Sequence, residues 1–481
     1  MTASSAFRNT NKNSFKMATC ISLLGVHCLA QAADVEDPNV RIQELEQQMK
    51  YMAEQLKTLQ ELVSQQQNVA KEPPQSTSPS APSAQQGAPV LASFKNGLTF
   101  SDTSGDWSLR LYARTQLDYK AYPDGIMADT FSLRRARLGT IATFMEDFSM
   151  RIEAEFAADT NNSTYARLND AWLDYTHYKG AMLRVGQFYT WHGLERVQAA
   201  MDLNFMERST TDYLFGAVFD RGVMLHGAPV NGLYYNLTYV NGTGPNADES
   251  NDYPRSDRKD ISLRVAGNLA QWVGWEDSLL HIGGTYLTGT EAPKTSNVLP
   301  KLRTEGRGVT YFEVTNPSLD DIDRNIYAVE TAIAHGPVKF QSEYVNGTFT
   351  MNDQSRDATA WYASLQWLVT GESYATLYKG PSFTPIQPKN NFRLGKAGWG
   401  ALEVGARYSR FDAADFRDML TNTQRNTYGA SAWTVGAKWV LNPRAQVQLN
   451  YIRTDFDTSL TLGGKVFDAE NALNMRMQYD F

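Results

Sequence analysis

"ALNMRMQYDF", residues 472–481, ends the chain on an aromatic residue and alternates apolar with polar side chains. Leu473, Met475, Met477, Tyr479 and Phe481 share one face, because successive side chains of a strand point to opposite sides. A two-faced strand that stops on an aromatic residue is typical of the last strand of an outer-membrane β-barrel. Barrel-assembly machinery recognises such a strand, so we interpret Phe481 as an assembly signal.

The same alternation continues upstream to about residue 107. In "WSLRLYARTQLDYK", residues 107–120, Trp107, Leu109 and Leu111 lie on one face, and Arg110 and Tyr112 lie on the other. Clusters of Gly, Asn, Asp and Pro separate such segments, as turns do. Candidate strands begin near residues 107, 130, 147, 166, 181, 219, 232, 259, 278, 324, 336, 358, 399, 428, 444 and 470.

These sixteen segments predict an all-β transmembrane protein, a sixteen-stranded antiparallel outer-membrane β-barrel. An even number of strands returns both chain ends to the periplasm, and about 16 strands leave an aqueous channel. A soluble sandwich or propeller has the same alternation, with the apolar face turned inward. The aromatic content of 12%, with Trp107, Tyr119 and Tyr451 at strand ends, favours the barrel. "TYFEV", residues 310–314, is interpreted as part of a long external loop from Gly289 to Asp323.

The start of the chain predicts a cleaved signal peptide over residues 1–32. Three basic residues precede an apolar run at 17–30, and "AQA" supplies the small residues that a signal peptidase reads. Both cysteines lie in this segment, so the exported chain has no thiol and no disulfide. Removing its three basic residues changes the formal charge from -7 to -10, which excludes bulk attraction to nucleic acid.

Residues 33–70 predict a short periplasmic coiled-coil helix, because apolar residues recur at alternating steps of three and four. Its seam is Ile42, Leu45, Met49, Met52, Leu56, Leu59 and Val63. Residues 71–95 are rich in Pro, Ser and Gln and predict an extended linker, which leaves residues 96–481 for the barrel. The helix favours self-association, and with the linker it would also suit a tether to the cell wall.

Several motifs resemble the phosphate-selective porin O and P family in their order and spacing. They are "FSLRRARLG", "LNDAWLDY", "LRVGQF", "LERVQAAMDLNFMERS", "VTGESYATLYKG" and "GWGALEVGARYSRFD", and the resemblance extends from about residue 100 to 481. It implies a trimeric sixteen-stranded channel for small anions in the outer membrane of a Gram-negative bacterium. It also implies that arginines line the pore and that the third external loop folds inward.

Because side chains alternate between the two faces of a strand, a set of arginines falls on the polar face that would line the channel. They are Arg110, Arg114, Arg135, Arg137, Arg151, Arg184, Arg264, Arg407 and Arg476. A guanidinium stays charged and offers forked donors that match phosphate oxygens. Acidic residues fall on the same faces, namely Asp118, Glu153, Glu155, Asp170, Asp174 and Glu403. Parity instead turns Arg134 to the apolar face, toward lipid headgroups or a neighbouring subunit.

Residues 191–217, "WHGLERVQAAMDLNFMERSTTDYLFGA", are too long for an ordinary turn. By the resemblance they form the constriction loop, here called the third loop. Arg196, Arg208 and His192 would supply positive charge there, with Glu195 and Glu207 as partners or as filters. A surface loop with solvated Glu–Arg pairs is the alternative.

The function predicted is passive diffusion of small, preferentially anionic, phosphate-like solutes. A general or cation-preferring porin and a non-conducting tether or adhesin remain open. The histidines are scattered, and no nucleophile elbow, zinc spacing or EF-hand loop is present, so we expect no enzyme, metal or cofactor. The expected partners are outer-membrane lipid, the barrel-assembly machinery and two further copies of the chain.

Overall fold

The computed structural model describes residues 89–94, 97–157, 166–245, 258–291, 301–314 and 321–481. The predicted signal peptide, the coiled coil and the linker up to residue 88 lie outside these residues. Residues 89–94, at the end of the predicted linker, include a strand, β1 (Leu91–Phe94).

Sixteen long antiparallel strands form one closed barrel, as the alternation predicts. They are β3 (Trp107–Ala121), β4 (Thr130–Phe144), β5 (Phe148–Glu155), β6 (Arg167–Tyr175), β7 (Met182–Tyr189), β8 (Phe219–Val230), β9 (Leu233–Val240), β10 (Asp260–Asn268), β11 (Ser278–Glu291), β14 (Ile322–His335), β15 (Val338–Met351), β16 (Gln354–Leu368), β19 (Ala401–Asp412), β20 (Gly429–Asn442), β21 (Ala445–Leu462) and β22 (Lys465–Asp480). Closure comes from β22, which pairs with β3 from Leu473 opposite Ala121 to Asp480 opposite Arg114.

The remaining elements are short. A hairpin of β1 and β2 (Leu98–Ser101) continues the sheet beside β3. Two small sheets lie in connections, one of β12 (Leu302–Arg303) with β13 (Thr310–Phe312), the other of β17 (Tyr378–Lys379) with β18 (Ser382–Phe383). The helices are Leu194–Val197, Thr211–Leu214, Leu269–Val273, Tyr374–Leu377 and the 3-10 helix Ala414–Met419. None of the helices in the described residues is long and apolar enough to cross a membrane.

The barrel strands turn their apolar face outward and their polar face inward, which is the reverse of the arrangement in a soluble protein. In β14, Tyr327, Val329 and Ile333 point outward and are exposed, whereas Arg324 and Glu330 point inward and are buried. Apolar side chains can lie on the outside only where the surroundings are themselves apolar, as in the hydrocarbon layer of a membrane. The pattern therefore places the barrel wall in lipid and its polar face around the interior.

Three connections enter the barrel and fill much of it. The third loop is one of them, and residues 301–314 of the long connection between β11 and β14, here called the second inward loop, are another. "TYFEV" belongs to that loop and not to the barrel wall, as interpreted from the sequence. The third segment is the connection between β16 and β19, residues 369–400. It enters from the end of the barrel at which β3 begins and β22 ends. Its Tyr374 and Phe383 pack with Leu194 of the third loop in one buried apolar cluster.

Candidate pore and its arginine wall

One cavity of about 810 Å³ lies between β3–β6 and the third loop. It extends from Arg444 and Phe481, at the end of the barrel where the chain terminates, to Pro245 in an external loop. Its lining carries the arginines Arg110, Arg114, Arg134, Arg135, Arg137, Arg151, Arg167, Arg196, Arg208, Arg307 and Arg444. The carboxylates of the lining are Glu153, Glu155, Asp170, Glu207, Asp212, Glu305 and Asp480. Eleven arginine side chains against seven Asp and Glu side chains give the side chains of this lining a positive excess in a chain of net charge -7.

Neighbouring strands build the arginine wall. Arg114 on β3 lies directly opposite Arg137 on β4, so two like charges face each other across one strand pair. Glu153 and Glu155 on β5 offset part of this charge, since both pair with Arg137, at 3.0 and 2.7 Å. Arg151 approaches Glu153 at 2.6 Å. Five of the predicted pore-lining arginines, Arg110, Arg114, Arg135, Arg137 and Arg151, border the cavity.

A β-bulge overturns the assignment of Arg134 to the outer face. Gln116 pairs with Arg135 and the next residue, Leu117, pairs with Leu133, which leaves Arg134 as the extra residue of β4. A bulge breaks the strict alternation of side chains along a strand. The Arg134 guanidinium therefore turns inward and donates from Nε to Glu207 of the third loop at 2.8 Å. All three arginines of "FSLRRARLG" line the cavity.

Arg167 was missed from the sequence for the same reason. Asp170 pairs with Glu153, but Leu168 pairs with Ala154, so Asn169 is the extra residue and Arg167 comes to face Glu155. Arg307 and Arg444 were missed because they lie in connections, where strand parity does not apply.

The other predicted pore arginines lie inside the barrel but do not border this cavity. Arg184 pairs with Asp174 at 2.7 Å, and Arg264 pairs with Glu330 at 2.5 Å. Arg476 forms a bidentate pair with Asp118, at 2.7 and 2.8 Å, across the closing strand pair. Their charges are compensated by carboxylates in the barrel interior, which suits a structural role.

Four arginines of the cavity have no carboxylate within 4.0 Å among the described residues. They are Arg110, Arg114, Arg135 and Arg167. Arg135 is 4% exposed and donates to Gln116 Oε1 at 2.6 Å. The Nε atoms of Arg114 and Arg135 are buried and have no hydrogen-bond acceptor in the described structure. Buried donors normally find an acceptor, so these two N–H groups can each donate a hydrogen bond to an oxygen of a small anion or to a halide.

The third loop is held to the opposite wall by Glu343 of β15. The Glu343 carboxylate accepts hydrogen bonds from the backbone N–H groups of Leu194, at 3.1 Å, and Glu195, at 2.6 Å. The preceding residue, Gly193, has a φ of 74° and lies so close to this carboxylate that a Cβ would collide with it. The loop therefore begins in a conformation that only glycine adopts readily.

The predicted loop residues divide between the cavity and its supports. Glu195 is buried and binds Arg407 at 2.8 Å, and His192 is buried with Nε2 at 2.9 Å from Ser262 Oγ. Arg196 borders the cavity and pairs with Asp212 at 2.7 Å. Arg208 also borders the cavity, and its Nε donates to the backbone carbonyl of Glu195 at 2.9 Å.

Glu207 is the carboxylate at which loop and wall arginines meet. Besides Arg134 it contacts Arg476 at 2.7 Å and Arg307 of the second inward loop at 3.7 Å. Burial by itself would raise the pKa of Glu207, but Arg134, Arg476 and Arg307 hold that pKa well below its usual range. Glu207 therefore stays ionised and joins the two inward loops to the arginine wall.

The second inward loop is fixed by the last strand. The backbone N–H of Val309 donates to Glu470 at 2.8 Å, and the carbonyl of Gly306 accepts from Asn474 at 3.0 Å. Its buried Phe312 stacks edge-on against Phe411 of β19, with ring centroids 5.0 Å apart. Arg307 of the second inward loop thereby reaches the cavity.

The family described as phosphate-selective porin O and P matches residues 109–481. Porin O of Pseudomonas aeruginosa is 24% identical over 422 residues, which cover 82% of this chain and 93% of that protein.

A solved outer-membrane barrel shares the fold. A loop L8 deletion mutant of OmpT, an outer membrane protein of Vibrio cholerae, aligns with a TM-score of 0.50 and 15% identity, over 78% of this chain and 100% of that chain. The outer membrane channel DcaP of Acinetobacter baumannii aligns with a TM-score of 0.47 and 12% identity, over 81% of this chain and 100% of that chain. The chain is thus an outer-membrane porin of a Gram-negative bacterium and belongs to the phosphate-selective porin O and P family.

Proposed function

We propose that the chain forms a passive diffusion channel that prefers small anions of the size and charge of phosphate. The observation that carries the proposal is the arginine excess of the cavity, together with the four arginines that have no carboxylate within 4.0 Å in the described part of the chain. A positive lining raises the local concentration of anions and lowers that of cations.

Weak binding at several arginines is what a conducting site requires. A solute must bind strongly enough to enter and weakly enough to leave, and a row of similar sites lets it move from one to the next. Arg135, Arg114 and Arg110 lie along two adjacent strands of the wall and supply such a row. The name of Porin O's family supports phosphate as one of the solutes.

A general porin is the second candidate. Seven carboxylates border the same cavity, and Glu153, Glu155 and Glu207 neutralise Arg137, Arg151 and Arg134. If these ion pairs dominate the electrostatic potential in the cavity, the channel passes ions of both signs with little preference.

Single-channel recording in a planar bilayer separates a channel from a closed tether or adhesin. We expect discrete current steps in potassium chloride, and millimolar inorganic phosphate should reduce the chloride current by competing for the same arginines. A barrel that gives no current would contradict the channel, and a current unaffected by phosphate would contradict phosphate binding.

We also infer that three copies assemble in the outer membrane, with lipid and the assembly machinery as the other partners. The predicted seam at residues 33–70 would hold the trimer in the periplasm. Crosslinking with and without residues 33–70 tests this role, and an unchanged oligomer after the deletion would contradict it.

A further inference from the structure

The connection between β16 and β19 is far longer than the others on its side of the barrel. It spans residues 369–400, whereas the remaining connections at this end, for example residues 145–147, 231–232 and 443–444, have two to nine residues. This is the end at which β3, the first strand of the barrel, begins and β22, its last strand, ends. In a bacterial barrel it is the periplasmic end. Long connections in compact folds usually have a function of their own.

The second half of this connection leaves the interior and returns to the outer wall. The Phe392 ring stacks edge-on against Trp439, with centroids 5.0 Å apart. Trp439 Nε1 donates to the backbone carbonyl of Trp399 at 2.6 Å. Trp439 points outward because the adjacent Lys438 points inward, where its Nζ lies 3.2 Å from Glu403. Residues 389–400 therefore form a projection, here called the rim tip, on the lipid-facing side of the periplasmic rim.

The rim tip combines exposed apolar side chains with uncompensated positive charge. Leu394 is 90% exposed and Trp399 is 78% exposed. Lys389, Arg393 and Lys396 are its charged residues, and residues 387–400 contain no acid. Neither Arg393 nor Lys396 has a carboxylate within 4.0 Å among the described residues.

We infer that the rim tip is a docking site for anionic phospholipid headgroups of the periplasmic leaflet. Arg393 and Lys396 would bind the headgroup phosphate, while Leu394 and Trp399 lie at the boundary with the acyl chains. Tryptophan favours that boundary, where its ring meets hydrocarbon and its N–H meets polar groups. The uncompensated cations match an anionic headgroup and give a neutral one no comparable gain.

The site is separate from the pore, so its test does not depend on ion selectivity. Native mass spectrometry of the full-length protein in neutral detergent, titrated with phosphatidylglycerol, measures lipid binding directly. The Arg393→Gln/Lys396→Gln double variant should bind phosphatidylglycerol about twenty-five-fold more weakly at the tightest site, since each of the two cations near an anionic lipid contributes roughly fivefold. Phosphatidylcholine should bind both proteins equally weakly.

Two controls keep the result specific. Lys465→Gln changes a lysine at the opposite, external end of the barrel and should leave phosphatidylglycerol binding unchanged. The charge-retaining Arg393→Lys/Lys396→Arg variant should bind phosphatidylglycerol as the wild type does. A heat-dependent shift in electrophoretic mobility shows that each variant is folded. Equal phosphatidylglycerol affinity in the wild type and the double variant would overturn the inference. So would a double variant that changes only the oligomeric state, because the tip would then contact a neighbouring protomer.

Discussion

At the residue scale, Arg135 is the most informative side chain of the pore. It is buried, it borders the cavity, and its Nε atom has no acceptor in the described structure. Arg135→Gln removes the charge and retains a polar side chain next to Gln116. We expect the anion-to-cation permeability ratio to fall about fivefold, which corresponds to ~1 kcal/mol for one charge near a permeating ion.

The reversal potential in a salt gradient measures this ratio. Arg453→Gln is the matched control, because Arg453 is an exposed arginine on the outer side of β21 and pairs with Asp455 at 2.7 Å. It should leave the ratio unchanged. Equal effects of the two substitutions would show that Arg135 does not act through the pore.

Asp202 predicts a pH dependence of selectivity. It follows Met201, which borders the cavity, and burial raises the pKa of its carboxyl to about 7 against the attraction of Arg114 and Lys438. Below this pKa the group is neutral, and above it the group adds one negative charge near Arg114. The anion preference should therefore be larger at pH 6 than at pH 8. Asp202→Asn should remove that difference, and a variant that keeps the full difference would rule out Asp202 as its source.

At the element scale, the third loop keeps its place through one carboxylate. Glu343→Ala removes the acceptor of the Leu194 and Glu195 N–H groups, at a cost of about 2 kcal/mol for two buried hydrogen bonds. We expect a larger and noisier single-channel conductance, because the loop can then leave the constriction.

Glu343→Gln is the control for this prediction. The amide keeps one oxygen in place to accept from the loop, so the conductance should stay closer to that of the wild type. An unchanged, quiet current in Glu343→Ala would show that the loop is held by its other contacts, such as Glu195 with Arg407.

Strand periodicity predicts the barrel well because a membrane requires alternation in every strand. All sixteen predicted strands are present, and their starts differ from the structure by a few residues. The same rule fails at the bulges at Arg134 and Asn169, since a bulge depends on pairing between strands and leaves no mark in one strand's alternation.

The interior was harder to predict than the wall. The alternation of side chains along a strand predicts that an arginine points into the barrel, but not whether a carboxylate lies beside it. Arg184 and Arg264, which are paired with carboxylates, therefore could not be distinguished from Arg135. The inward course of residues 301–314 and 369–400 rests on apolar contacts with distant strands, such as Phe312 with Phe411, which no local pattern reveals.

At the scale of the whole molecule, a buried ion pair joins the two strands that close the barrel. Arg476 of β22 and Asp118 of β3 are both fully buried and form a bidentate pair. Arg476→Ala leaves Asp118 charged and unpaired, which costs roughly 3–5 kcal/mol. We expect the barrel to unfold at a lower temperature in heat-modified gel electrophoresis.

The Arg476→Leu/Asp118→Leu double variant tests whether the pair itself matters. Replacing both partners removes the buried charge, so much of the lost stability should return. A double variant as unstable as Arg476→Ala would show that Arg476 acts chiefly through Glu207, its other partner at 2.7 Å.

The arginine excess of the cavity should make this porin prefer anions. The most direct measurement is the zero-current potential of the wild-type channel in a planar bilayer with a tenfold gradient of potassium chloride. An anion-selective pore gives a potential whose sign shows chloride moving down its gradient faster than potassium. We predict that sign at pH 6 and, with a smaller potential, at pH 8. A potential of the opposite sign would show that the channel prefers cations and that the arginine excess does not set its selectivity.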